Sequence, residues 1–233
     1  AFVSKFNENG IHQWTQRLEY SGADVNSELI TLGPDNSIYI AGHTKGDLIN
    51  FPEEWSSSSY YEGNDIFIAK YSSNGTQQWI NQFEYDTDDS INALEVDKDG
   101  FIYIAGIISN QYIFEKYNPD GNLVWSKYVP KNISDLEVDS NGFIYTSSWN
   151  AQIAKYDSNG YREWIDISDY GNHTNEIAIK EDGSIYISVD QSIWNAKVES
   201  VNSIYERLED NELIGSLSTD AKDAFDMMAK GEE

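Results

Sequence analysis

Cysteine is absent from all 233 residues, which excludes disulfides, thiolate zinc sites and cysteine nucleophiles. Cations are scarce as well: 15 Lys and Arg face 40 Asp and Glu, for a formal charge of −25. A surface so poor in Lys and Arg cannot neutralise phosphates, so nucleic acid is excluded as a partner. An anionic membrane surface is excluded on the same ground. No apolar run approaches the roughly 18 residues of a membrane span, which excludes membrane insertion, and no stretch reads as a secretory leader. The three histidines, His12, His43 and His173, share no metal-binding spacing, and no HExxH, GxSxG or P-loop pattern occurs. The chain opens at Ala1, inside a repeat, and reads as a mature or excised piece of a larger polypeptide or assembly.

What the chain has in abundance is repetition. One sentence, a hydrophobic run ending in Lys plus an aromatic, then a Gly turn, then Trp, is spelled four times: FVSKFNENGIHQW (2–14), FIAKYSSNGTQQW (67–79), FEKYNPDGNLVW (114–125) and IAKYDSNGYREW (153–164). A second alternates with it: LGPDNSIYIAG (32–42), VDKDGFIYIAG (96–106), VDSNGFIYTSS (138–148) and IKEDGSIYISV (179–189). A period of about forty residues is the mark of a repeat architecture. Repeated residues are scaffold, and function belongs where the copies differ.

The units read as strands, with Ile66–Tyr71, Gln77–Phe83, Ile91–Val96 and Phe101–Ala105 as examples. Asn-Gly or Asp-Gly pairs join them at Asn74-Gly75, Asp99-Gly100, Asp120-Gly121, Asn141-Gly142, Asn159-Gly160 and Asp182-Gly183. Such pairs tolerate the positive φ that tight hairpins demand. Four antiparallel strands per repeat predict an all-β fold, a β-propeller or propeller arc of about four to five blades. Trp14, Trp79, Trp125 and Trp164 are expected at equivalent buried places between neighbouring blades. The chain opens and ends on half a blade, with a further strand-like run at Ile193–Val198. The repeats span 1–198. Over 199–233 the pattern changes to helical spacing, with Val201, Ile204, Tyr205 and Leu208 followed by Ala221, Ala224, Phe225 and Met228, and predicts a short amphipathic helical tail.

The stretch Leu48–Pro52, a polar spacer, Gly63–Tyr71, Gly75 and Trp79 resembles the bacterial SBBP repeat, named for a seven-bladed β-propeller. Asp97–Gly106 and, more loosely, Pro34–Gly42 match the signature that stands ahead of it in that family. The later, shorter units lack the Asn-Phe-Pro insert. The resemblance implies a secreted or surface-associated bacterial module, often embedded in larger proteins, with no assigned chemistry.

Two places depart from the repeat. The segment from His43 to Asn64 carries Trp55, Tyr60 and Tyr61 among Glu and Ser, a composition that suits a protein or glycan partner. Asp86, Asp88 and Asp89 form the densest acidic cluster in a loop between blades and are the candidate Ca²⁺ contact. The D-x-D/N-G turns invite the same reading, but each offers two side chains to an ion that wants six to eight oxygens, and Asx-stabilised hairpins explain them better. The sequence predicts a recognition or scaffold module that mediates protein interaction and is not an enzyme. The alternatives are a carbohydrate-binding propeller using the loop aromatics and an enzyme with a central-channel site.

Overall fold

A computed structural model describes residues 1–18, 24–46, 48, 63–83, 88–148, 152–167, 174–180 and 182–189. The chain divides into two compact units, 1–178 with 187–195, and 179–186 with 196–233. The expected strand at 193–198 and the helical tail over 199–233 lie outside the described residues.

Every described element is a strand. An opening hairpin joins β1 (Phe2–Phe6) to β2 (His12–Arg17). The first four-stranded blade holds β3 (Asp24–Leu32), β4 (Ile38–Lys45), β5 (Asp65–Tyr71) and β6 (Gln77–Phe83). The second holds β7 (Ser90–Val96), β8 (Ile102–Ile108), β9 (Gln111–Tyr117) and β10 (Leu123–Tyr128). The third holds β11 (Ile133–Val138), β12 (Ile144–Ser148), β13 (Gln152–Tyr156) and β14 (Arg162–Ile167). A last hairpin joins β15 (Thr174–Ile179) to β16 (Ile185–Val189). Within each blade the strands pair in chain order, all antiparallel, while the two hairpins remain two-stranded. The described part is therefore three complete blades flanked by two half-blades, and no helix among these residues is long and apolar enough to cross a membrane.

Burial follows from stacking sheet on sheet. Tyr39, Ala41, Ile66 and Ile68 of blade one share a core with Leu94, Val96, Ile102 and Ile104 of blade two. Tyr103, Ala105 and Phe114, on the other face of blade two, meet Leu136, Ile144, Ala154 and Tyr156 of blade three. The middle strands are covered on both faces, which is why Ile-Tyr-Ile-Ala reads as an unbroken apolar run rather than an alternation.

The repeated motifs have specific work. In each unit the Lys pairs directly across from the Trp: Lys5 with Trp14, Lys70 with Trp79, Lys116 with Trp125 and Lys155 with Trp164. The ammonium lies over ring faces, Lys116 at 4.3 Å from Phe101 and Lys155 at 3.7 Å from Phe143, a contact that favours a desolvated cation. Each indole reaches forward to the next blade. A Cβ on Gly75 would meet the Trp14 ring at 3.0 Å, one on Gly121 would meet Trp79 at 3.4 Å, and one on Gly160 would meet Trp125 at 3.1 Å. Trp79 Nε1 donates to the Pro119 carbonyl and Trp125 Nε1 to the Ser158 carbonyl, both at 3.2 Å. The indoles do occupy equivalent places, but they are half-buried rather than buried. They sit on the outermost strand of each blade, so one ring edge stays at the surface.

Candidate functional site

An up-and-down blade puts its first and third turns at one end and its second turn, with the crossover to the next blade, at the other. The first end is chemically uniform. Asp97 Oδ1 accepts from the Asp99 and Phe101 amides, both at 2.9 Å, and Asp139 Oδ1 accepts from Asn141 and Phe143 at 2.8 and 3.0 Å. Asp157, Asn118 and Asn7 repeat the pattern. Tyr103 donates to the second carboxylate oxygen of Asp97 at 3.0 Å, and burial together with that charge holds the phenol above its usual range. The carboxylates of these D-x-D/N-G turns are thus engaged in Asx turns.

The opposite end is where the copies diverge, and its loop stems are tied by side chains. Gln82 Oε1 accepts from the Leu48 amide at 2.7 Å, while its Nε2 donates to the Gly46 carbonyl at 3.2 Å and to Asp65 Oδ2 at 2.8 Å. Asp88 Oδ1 accepts from the Asn64 amide at 3.0 Å. The Asp89 amide donates to the Asn64 carbonyl at 2.8 Å, and its Oδ1 accepts from the Ser109 amide at 3.1 Å. Asp88 is exposed and Asp89 buried, so this pair clamps both the base of the 47–62 segment and the β8–β9 turn of the next blade. Asp86, Trp55, Tyr60 and Tyr61 lie outside the described residues.

Sequence reasoning missed a second feature on the first strand of each blade. A bulge interrupts pairing between Ser27 and Leu29, between Ile91 and Ala93, and between Ile133 and Asp135. It sets Glu28, Asn92 and Ser134 at one repeat position. Glu28 Oε1 lies 2.9 Å from His43 Nδ1. Three residues further along stand Thr31, Glu95 and Glu137, and Thr31 Oγ1 donates to Glu95 Oε2 at 3.3 Å. Burial, then the Glu137 charge, pushes the Glu95 carboxyl from 4.5 up to about 7. Burial also raises Asp135, whose carboxylate accepts from the Ile177 amide at 2.9 Å, and Glu137. A group poised there exchanges a proton near neutral pH. The signal was legible in the duplicated Leu-Glu-Val-Asp at 94–97 and 136–139.

No family model matches the chain. It is 29% identical over 136 residues, 57% of its length, to an uncharacterized WD repeat-containing protein of Acanthamoeba polyphaga mimivirus, of which those residues make 9%. A protein of unknown function from Bacteroides caccae superposes with a TM-score of 0.54 at 11% identity, over 85% of this chain and 66% of that one. The chain is an all-β propeller repeat protein.

Other solved structures share part of this strand arrangement. They include a protein described provisionally as a gluconolactonase, at TM-score 0.44 and 18% identity, over 70% of this chain and 55% of that one. Regucalcin from Agrobacterium tumefaciens, described as a calcium-binding protein, follows at 0.45 and 14%, over 78% and 58%. Neither transfers a residue, a substrate or an ion to this chain. The expectation that this chain is not an enzyme is corrected on a general ground: the same fold hosts many functions, so blades alone do not set catalysis aside.

Proposed function

We propose that this chain is a recognition module of the SBBP repeat type, belonging to a secreted or surface-associated bacterial protein, which engages a protein partner with its divergent loop end. The observation that carries the reading is the contrast between the two blade ends. At the first end the same Asx turn recurs in nearly every copy. At the other, Gln82, Asp88 and Asp89 hold the stems of segments that differ in length and composition from blade to blade. A rigid scaffold presenting variable loops is the usual layout of a binding face. The 47–62 segment contributes Trp55, Tyr60 and Tyr61 by sequence, residue types enriched in binding hot spots.

A photo-crosslinking amino acid placed at Trp55 or at Tyr61, with Asn141 at the uniform end as the control, tests this in cells of the source organism. Discrete protein adducts from the first two positions and none from Asn141 are expected. Equal adducts at both ends would remove the argument. Binding on a glycan array that disappears in a Trp55→Ala, Tyr60→Ala, Tyr61→Ala variant would replace the protein partner with a carbohydrate.

A further inference from the structure

The crossover from blade two and the adjoining face of blade three line a cleft, with Lys131, Gln152, Tyr156 and Arg162 set over Ile133 and Ala154. Three of these side chains break the repeat. Ser148 pairs with Ile133 on one side and Gln152 on the other, as Gly106 pairs with Ile91 and Ile113. Gly42 pairs likewise with Phe67. Gln152 therefore stands where the other blades bury Ile113 and Phe67, and it is itself only 7% exposed. Its side-chain amide makes no hydrogen bond among the described residues, and a buried amide left so costs stability. Arg162 faces Tyr156 across β13 and β14, where Gln77 and Leu123 face Tyr71 and Tyr117. Lys131, two residues ahead of Ile133, holds the place that Asp89 holds ahead of Ile91.

Charge in this cleft runs against the rest of the chain. By sequence the other crossovers are acidic, with Glu19 in the first, Glu84, Asp86, Asp88 and Asp89 in the second, and Asp169 in the last. The crossover Val129–Asn132 has Lys131 instead, and no Asp or Glu stands between Asp120 and Asp135. Lys70 and Lys155 have carboxylates at 3.9 and 3.2 Å. Lys131 and Arg162 form no ion pair among the described residues, in a chain with 40 acids to draw on. Burial raises the Tyr156 phenol, and the Arg162 charge pulls against it. Lys127 lies over the Tyr161 ring at 4.2 Å and so holds the residue next to Arg162 against β10.

We propose that this cleft receives the carboxylate of an Asp or Glu side chain of the protein partner, with Arg162 and Lys131 supplying the charge and Gln152 the amide donors. The inference rests on the reading of the loop end as a protein-binding face, and it names the chemistry that face selects. Gln152 offers two N–H donors to an acceptor, which Ile113 and Phe67 at the matching positions cannot do. An arginine fork and an ammonium bind a carboxylate through charge-assisted hydrogen bonds. Phosphate would satisfy the same donors, but it carries roughly two charges against one and meets more repulsion from a chain at −25. The singly charged group is therefore the fitting occupant.

The probe is the blocked peptide acetyl-Ala-Glu-Ala-amide, with acetyl-Ala-Gln-Ala-amide as its uncharged match. Each is titrated into isotope-labelled protein at about 0.15 M salt, where charges beyond roughly 8 Å are largely screened. The side-chain amide of Gln152 and the Nε–H of Arg162 should shift and saturate with the Glu peptide and stay still with the Gln peptide. Arg162→Gln, at an exposed position, should keep its circular dichroism and raise the apparent Kd at least about fivefold. Gln152→Ile, which restores the residue type of the other blades, should lose the shift at Arg162 and melt at a higher temperature. Equal shifts with both peptides, no saturable shift, or a Glu-peptide Kd unchanged in Arg162→Gln would each overturn the proposal. Tighter binding of inorganic phosphate or of glucuronate than of the Glu peptide would overturn it too. The titration needs no native partner, so its failure leaves the crosslinks expected at Trp55 and Tyr61 standing, and their absence would leave the titration standing.

Discussion

Removing the Glu95 carboxylate should make the protein more stable at alkaline than at acidic pH relative to the parent. Folded, Glu95 keeps its proton to about 7, against an ordinary 4.5. Between those values the native state binds a proton that the unfolded chain has released, so stability falls as pH rises through the window. The stabilising contribution is complete below about 4.5 and gone above about 7. A gap of 2.5 pH units corresponds to at most about 3.4 kcal/mol. The carboxylate still meets water in part, and screening brings the expected effect to roughly 1–2 kcal/mol. Glu95→Gln cannot titrate yet still accepts from Thr31, so it resembles the protonated native side chain. Urea unfolding followed by tryptophan fluorescence at pH 5, 6, 7 and 8 should show variant and parent converging at pH 5. They should separate by about half a molar at pH 8, at an m-value near 3 kcal/mol/M. Carboxylates with ordinary or depressed values, such as Asp35 held low by Ser37, titrate below this window and cancel in the difference. A difference flat from pH 5 to 8, or one that shrinks with rising pH, would refute the assignment of a buried, proton-holding Glu95.

Two further outcomes are expected. Gly42→Ala should cost about 3 kcal/mol in chemical denaturation, because its Cβ would fall 2.0 Å from the Asn26 carbonyl oxygen at the first-strand bulge; a cost below about 1 kcal/mol would mean that the bulge relaxes freely. Thermal melts in added Ca²⁺ and in NaCl of matched ionic strength test the 86–89 loop, where a calcium shift exceeding the salt shift and lost in Asp88→Asn would establish the site, and equal shifts would leave only screening.

Architecture was legible in this sequence because signals at two scales agreed: short hydrophobic runs bounded by Asn-Gly and Asp-Gly turns, inside a repeat of about forty residues. Lys70 and Trp79 were visible as motif members, but their pairing across β5 and β6 needed the register. The indoles were read as buried because aromatic periodicity does not say which strand of a blade lies outermost. That Asp88 and Asp89 each accept a backbone amide could not be seen in the sequence, because the donors Asn64 and Ser109 stand about twenty residues or more away along the chain. Glu95 and Glu137 stand out in the sequence only as members of a duplicated Leu-Glu-Val-Asp; among 40 acidic residues nothing but the fold says that this pair is desolvated.

The forward-reaching indoles bear on how the repeats lose their structure together. Stability in such an array is a sum of terms intrinsic to each blade and terms for each junction. At three junctions among the described residues an indole, Trp14, Trp79 or Trp125, lies against its successor's turn, and Trp79 is anchored there on the Pro119 carbonyl. Strong junction terms force neighbouring blades to melt in one step. Weakening a single indole therefore does more than subtract its own contact. It divides one cooperative transition into two, with the blades before the cut opening independently of those after it.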